Sequence, residues 1–412
     1  MCIVRNVGEG TTGSNGPMAM IYVYGPLGAG HVNPMLGITA ELVLRGHTVR
    51  FWAPRPFAER IEEAGAQFEP VESTWETMSG GPPQMHGKEF FRAIGLLLNE
   101  TKSMVAQCAT ESPPDLIVHD GTLAWWGRIL AHRWNVPAVE TWPNFVGNQH
   151  WSMNEYTKVS PFDPRFLWQI LRAARYLRSQ GITDVGAFMT GKSAAGRIVT
   201  IPRSFQYAGE TFDDWSFVGP CLTDRAFQGK WVPPTSGRPV VLVSLGTAYN
   251  NRPEFFRSIM QSSADKPWHV VLAVGDRTSA ESLGAIPANV EVHAQVPQLA
   301  VLQHARVFVT HAGMGSVMES LSHEVPMATV PQMAEQRANA DRIAELGLGV
   351  TVELDAGEQT SSAAADAVWR AVAEVADNTE VASGLARMRS DIEHAGRASA
   401  AADVVDSVTR SG

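Results

Sequence analysis

Three cysteines in 412 residues (Cys2, Cys108 and Cys221) are too few and too scattered for a disulfide framework or a zinc site, which fits a reducing compartment. They read as packing residues. Basic side chains are also scarce: 33 Lys and Arg face 42 Asp and Glu, so no basic field is available to hold nucleic acid or an anionic membrane surface. No run of about 18 apolar residues occurs, and the opening MCIVRNVGEGTTGSNGP lacks the basic start and apolar core of a signal peptide. The expectation is a cytoplasmic monomer or homodimer without stable membrane insertion, its first seventeen or so residues disordered. No D-x-D pair is present, so a metal-held diphosphate is not indicated and neither metal nor cofactor is expected. Repeats at solenoid periods are missing too.

What is present is an ordinary globular composition, 44% hydrophobic and 18% charged, in a chain long enough for two domains. From Met20 short β-rich runs alternate with helical patterns: MIYVY, PMLGITAELVLRG, TVRFWA, FAERIEEAG, DLIVHD, TLAWWGRILAHRW, VPAVETW. A second series runs through RPVVLVSLG, WHVVLAVG, VEVH, RVFVTHAG, VPMATVP and GVTVEL. That rhythm marks βαβ units and parallel sheets. It predicts an α/β protein of two doubly wound, Rossmann-like domains, residues 18–218 and 238–390, with a Pro- and Gly-rich linker at 219–237 and a C-terminal helical segment at 391–412.

Two insertions interrupt the first series, STWETMSGGPPQMHGKEFFRAIGLLL and WPNFVGNQHWSMNEYTKVSPFDPRFLW. Each of their aromatics is individually explicable as core cover. As a set that includes Trp75, Met78, Phe90, Trp142, Phe145 and Trp151, they predict a broad apolar pocket, because loops leaving strand ends build ligand sites in α/β folds.

The first turn, GAGHVNP, fails as a dinucleotide fingerprint because Asn33 stands where the third glycine is needed. Asn33 reads instead as an N-cap with Pro34 at the first helical position, which predicts His31 in a tight turn at the end of the first strand. Asp120 ends a second strand, before a helix. A histidine beside a carboxylate is the base and orienter of general base catalysis, while the plainer roles are a loop hydrogen bond for His31 and an N-cap for Asp120. In the second half, VTHAGMGSVMESL predicts backbone amides of Gly313, Met314, Gly315 and Ser316 at a helix N-terminus, suited to a diphosphate, with His311 as an added donor. Glu335 and Gln336 open another helix; an acidic first turn is ordinary, but a carboxylate beside an amide also suits sugar hydroxyls.

The motifs GAGHVNP, DLIVHD, HAQVPQL, THAGMGSVMESL and PQMAEQRANADRI, in this order, resemble the family 1 UDP-glycosyltransferases of GT-B fold, most of all the oleandomycin-type macrolide glycosyltransferases of actinomycetes. The likeness runs from about Met20 through nearly the whole chain, the two aromatic insertions apart. It implies two Rossmann-like domains facing across a cleft, with the C-terminal helices crossing back onto the first. His31 is implied as the catalytic base and Asp120 as its partner. The diphosphate falls to Ser244 or Thr247 with His311, Gly313 and Ser316, the ribose to Glu319, and the hexose to Glu335 and Gln336. HAQVPQL adds Gln295, Val296 and Gln298 to the donor side, and Gln295 departs from the pattern: members usually carry a tryptophan there that stacks on uracil. The implied partners are a nucleotide sugar and an apolar hydroxylated acceptor. An epimerase of the same fold would leave the aromatic insertions unexplained, and a sugar-nucleotide binding protein would need neither His31 nor Asp120.

Overall fold

The computed structural model describes residues 18–76, 87–160, 162–223, 229–247, 250–353 and 362–411. Two wholly parallel sheets organise them. The first contains β1 (Met20–Tyr24), β2 (Thr48–Ala53), β3 (Gln67–Pro70), β4 (Leu116–Asp120), β5 (Ala138–Trp142), β6 (Gly196–Val199) and β7 (Ser216–Phe217) in the order β3-β2-β1-β4-β5-β6-β7. The second contains β8 (Val240–Ser244), β9 (His269–Ala273), β10 (Val290–His293), β11 (Ala305–Thr310), β12 (Met327–Thr329) and β13 (Gly349–Thr351) in the order β10-β9-β8-β11-β12-β13. Helices cover both faces of such sheets, so their central strands are continuously apolar: every residue of VVLVS in β8 and HVVLA in β9 is buried. β3, β6 and β7 carry no such signal. The half-exposed QFEP and the two-residue SF are strands by virtue of their neighbours, not their composition.

In each sheet the chain winds outward to one edge and returns beside its first strand. The order therefore reverses between β1 and β4, and again between β8 and β11. A crevice opens outside the carboxyl ends of the strands at such a reversal.

Two features fix the domains against each other. Arg342, on the helix Ala334–Glu345, donates to the carbonyls of Phe205 at 3.0 Å and Ser204 at 2.9 Å in the first domain. Its guanidinium lies 4.9 Å over the Tyr207 ring, whose hydroxyl donates to the Ala338 carbonyl at 3.0 Å. The last helix, Arg397–Ser411, returns from the second domain to pack on the helix Ala29–Leu44, burying Ala401, Ala402 and Val405 completely in the same cluster as Ile21, Val23 and Leu42. Arg45 pins it by donating to Asp403 at 2.7 Å, Asp406 at 2.8 Å and the Ser399 carbonyl at 2.9 Å.

Three local expectations are corrected. The first helix begins at Ala29, with Gly28 as its N-cap, so Asn33 is not the cap and His31 lies in the first helical turn. Pro34 sits inside the helix, where its missing N–H leaves the Gly30 carbonyl without a helical donor; the fixed φ of proline otherwise suits the helix. Asp120 does not cap the following helix, which starts at Trp125 after Ala124. Finally, much of the first insertion is no loop: Gly87–Cys108 is a helix whose buried Leu98, Thr101, Met104 with Val105, and Cys108 recur every three or four residues. The Gly46 that ends the first helix does adopt positive φ, +94°, and its amide closes onto the Val43 carbonyl at 2.9 Å.

Candidate active site

The end of β4 and the first turn of the helix Ala29–Leu44 meet at a single hydrogen bond, His31 Nδ1 to Asp120 Oδ2 at 2.8 Å. The carboxylate is fully buried, whereas 18% of the His31 side chain is exposed. Asp120 is held from its other oxygen: Oδ1 accepts the backbone N–H groups of Thr122 at 3.0 Å and Leu123 at 2.6 Å. A carboxylate so fixed makes Nδ1 the protonated nitrogen and leaves Nε2 as the one that can take a proton. Burial depresses the basicity of the ring, but the charge and hydrogen bond of Asp120, with a further contribution from Glu335, outweigh it and raise the His31 pKa above the ordinary histidine value.

Across the cleft, the helix Met314–Ser322 starts after Gly313, and the amides of Gly315 and Ser316 belong to the first turn, which has no helical acceptors of its own. The Met314 amide, expected with them, is turned toward the Glu335 carboxylate, whose pKa it acts to lower. His311, at the end of β11, is boxed between two glycines: a Cβ on Gly246 or on Gly313 would stand 2.5 Å from its ring. Burial pushes its pKa down to about 4 against an opposing bond to the Ser244 backbone, so the ring is neutral near pH 7, and its Nδ1 is buried without a partner. Gln298 Nε2 bridges Glu319 Oε2 at 2.6 Å and Ser316 Oγ at 3.2 Å, which orients the buried carboxylate.

Glu335 and Gln336 open the helix Ala334–Glu345. Burial raises the Glu335 pKa, opposed by a 2.7 Å bond from Asn339, by the nearby charge of His31 and by the Met314 amide. Gln336 Oε1 accepts the Gln332 N–H at 2.9 Å, leaving its amide nitrogen as the free donor. Gln295 donates its amide to both oxygens of Asp276, at 3.2 and 3.1 Å.

Most of these side chains line one cavity of about 880 Å³ between the domains. Ser244, Thr247, Gln295, Val296, Gln298, His311, Gly313, Gly315, Ser316, Glu319, Glu335 and Gln336 border its second-domain side; His31, Trp75, Phe90, Trp142 and Phe145 border its first-domain side. Asp120 stands behind His31. Trp151 is not on the wall: it stacks on Tyr207, ring centres 4.9 Å apart, and packs against Phe145 in the core that joins the domains. Met78 lies outside the described residues, as do Cys2 and the opening seventeen. Sequence patterns gave no signal for Asn33, Arg60, Thr122, Thr157, Asp276 and Arg277, which also face the cavity. Among the described residues no His, Cys, Asp and Glu cluster is placed to hold a metal ion, and no helix is long and apolar enough to cross a membrane.

Residues 227–391 match the family model described as UDP-glucoronosyl and UDP-glucosyl transferase. The demethyllactenocin mycarosyltransferase of Streptomyces fradiae is 36% identical over 92% of this chain and 84% of its own. The oleandomycin glycosyltransferase of Streptomyces antibioticus is likewise 36% identical, over 92% of this chain and 88% of its own. Among solved structures, a calicheamicin glycosyltransferase superposes with a TM-score of 0.81 at 34% identity, covering 95% of this chain and 98% of that one.

Proposed function

Because the chain belongs to the UDP-glucoronosyl and UDP-glucosyl transferase family and is a glycosyltransferase, we propose that it moves a hexose, glucose in preference, from a UDP-sugar to a hydroxyl of an apolar natural product such as a macrolide or polyketide. The observation that carries this reading is the His31–Asp120 pair facing a glycine-bounded helix N-terminus across one cavity. His31 Nε2 takes the acceptor proton as its oxygen attacks the anomeric carbon. The C–O bond to the diphosphate breaks on the opposite side, so the configuration inverts in one displacement. Asp120 stabilises the imidazolium that forms. The Gly315 and Ser316 amides and the dipole of their helix receive the charge that develops on the leaving diphosphate, and no cofactor takes part.

The acceptor side supports an oxygenated ligand. Asn33 Oδ1, Trp75 Nε1, Thr122 Oγ1 and Thr157 Oγ1 are buried without partners, and their residues all border the cavity beside apolar side chains such as Ile94, Leu97 and Phe145. Orphaned polar atoms are costly unless a ligand satisfies them. The names of the two streptomycete relatives agree with such an acceptor. Incubating a panel of hydroxylated aglycones with UDP-glucose and reading products by mass spectrometry tests the assignment; donor consumption without any glycoside would overturn it.

Glu335 as acceptor and the Gln336 amide as donor suit vicinal sugar hydroxyls. Each buried polar group left unpaired costs about 1–3 kcal/mol, so UDP-glucose should outcompete a donor lacking those hydroxyls. A deoxysugar that wins in direct competition would transfer the reading to a thymidine-linked deoxysugar donor, which the mycarosyltransferase relative favours.

Gln295 replaces an aromatic platform with an amide tied to Asp276. Base stacking on an aromatic is worth about 1–3 kcal/mol, so Gln295→Trp should tighten UDP binding by roughly 5- to 150-fold with little change in acceptor KM. Calorimetric titration of UDP into both proteins decides it. Equal or weaker binding by the variant would mean that the Gln295–Asp276 pair itself contacts the base.

A further inference from the structure

Directly behind Asp120 lies a buried charged cluster that the reaction as described does not use. Arg128 and Glu140 are 5% and 0% exposed. Arg128 Nε bonds Glu140 Oε1, and its Nη2 donates to Glu140 Oε2 at 2.9 Å and to the Gly121 carbonyl at 2.8 Å. Gly121 is the residue that follows Asp120. From the other side, Trp142 Nε1 donates to Glu140 Oε2 at 3.1 Å, and the Trp142 ring is part of the cavity wall. His119 Nδ1 bonds the Asp120 carbonyl at 3.0 Å, and its buried Nε2 stands 3.7 Å from Glu140 Oε1 with no hydrogen-bond partner.

The surroundings are shaped to admit this cluster. A Cβ on Gly127 would sit 2.4 Å from the His119 ring, one on Gly191 2.5 Å from Glu140 Oε2, and one on Gly121 2.3 Å from the Trp142 ring. β4 and β5 are neighbours, with Asp120 paired to Thr141, and the ion pair ties the helix Trp125–Trp134, which follows β4, to β5. Stability alone is a poor account of it, since apolar residues of similar volume replace buried ion pairs at little or no cost.

We propose that Arg128 and Glu140 are positioning residues that lock the Asp120 turn and the Trp142 wall into one frame, so that an acceptor held by the wall meets the His31 nitrogen oriented by the carboxylate. Arg128 is the hub: one guanidinium fixes the backbone behind the carboxylate and, through Glu140, the edge of the aromatic wall. A displacement of about 1 Å between acceptor and base is enough to cost on the order of 100-fold in rate. This rests on His31 being the base.

The test uses the full chain in two variants. Glu140→Gln keeps an oxygen for the Trp142 N–H but removes the charge; Arg128→Lys keeps a charge beside Glu140 but cannot reach it and the Gly121 carbonyl together. The readouts are the His31 titration midpoint by NMR in the free protein, UDP affinity by calorimetry, and turnover of UDP-glucose with any acceptor the aglycone panel yields. The charges facing His31 are Asp120 from β4 and Glu335 from the helix Ala334–Glu345, with Arg60 on the same cavity. A loosened Asp120 stabilises the imidazolium less, so both variants should shift the His31 midpoint downward and slow turnover about 10-fold or more, while UDP affinity holds. A folded variant whose His31 midpoint does not move overturns the proposal, whatever its rate, and so does failure of both variants to fold, which assigns the cluster to stability. His31→Ala in the same assay separates the two levels: undiminished turnover there removes the base assignment, whereas an unmoved midpoint removes only the positioning role.

Discussion

His31→Ala should lose about 10²- to 10⁴-fold in turnover with an aliphatic alcohol acceptor while UDP binding stays unchanged, the usual worth of a positioned general base. The ring reaches the cavity from the first turn of the helix Ala29–Leu44, and its Nδ1 is committed to Asp120 at 2.8 Å, so only Nε2 is available to the substrate. Because the proposed donor residues lie on the second domain, removing the ring should subtract from the chemical step and not from nucleotide affinity. The pH profile carries the same information. A base acts when neutral, so kcat/KM should rise with pH through the His31 pKa, and the raised value places that limb above the ordinary histidine range near 6.5. Asp120→Asn removes the largest factor raising that pKa; the limb should move to lower pH, and the rate loss should be smaller than for His31→Ala. Phenolic acceptors blunt the comparison, since their pKa near 10 makes a base less necessary. Full turnover by His31→Ala with an aliphatic alcohol would end the assignment.

Gly313→Ala should weaken UDP binding by about 10- to 100-fold. The added methyl would stand 2.5 Å from His311 Nε2, so the ring must shift, and the space beside it is tight: a Cβ on Gly246 would also stand 2.5 Å from the ring. Overpacking of this kind costs about 1–3 kcal/mol, and here the displaced group borders the cavity where the diphosphate is proposed to sit. Gly315→Ala is the reference: its methyl meets no protein atom within 4 Å, and alanine inside the helix Met314–Ser322 is preferred over glycine, so its thermal midpoint should hold or rise. Differential scanning fluorimetry and UDP titration on both variants separate packing from binding. Wild-type UDP affinity in Gly313→Ala would show that His311 does not shape the diphosphate seat.

Legibility in the sequence followed the kind of signal each residue leaves. The buried parallel strands are readable from their apolar runs LIV, VVLV and VVLA, and the two-domain α/β fold with them. The helix start at His31 was misread because Asn-Pro is a strong local start signal; one extra turn from Gly28 overrides it at the cost of a single carbonyl. Glu335 illustrates what no pattern holds. Its place beside His31, and its claim on the Met314 amide, depend on how the two domains face each other. Trp151 failed the opposite way: an aromatic in an insertion looks like a ligand wall, yet its partner Tyr207 lies 56 residues on and draws it into the core. Arg128 and Glu140 carry no sequence signal, because only the packing of the helix Trp125–Trp134 beside β5 brings them together.

The final helix has consequences for recombination. By sequence position it belongs to the second domain; by packing it belongs to the first, where Ala401, Ala402 and Val405 close a core and Arg45 reads Asp403 and Asp406. A hybrid enzyme made by one crossover in the linker would therefore bring a foreign tail to the first domain and leave Arg45 facing unmatched partners. Exchanging the second domain of this protein calls for two junctions, the second ahead of Arg397, so that the tail is inherited with the first domain it seals.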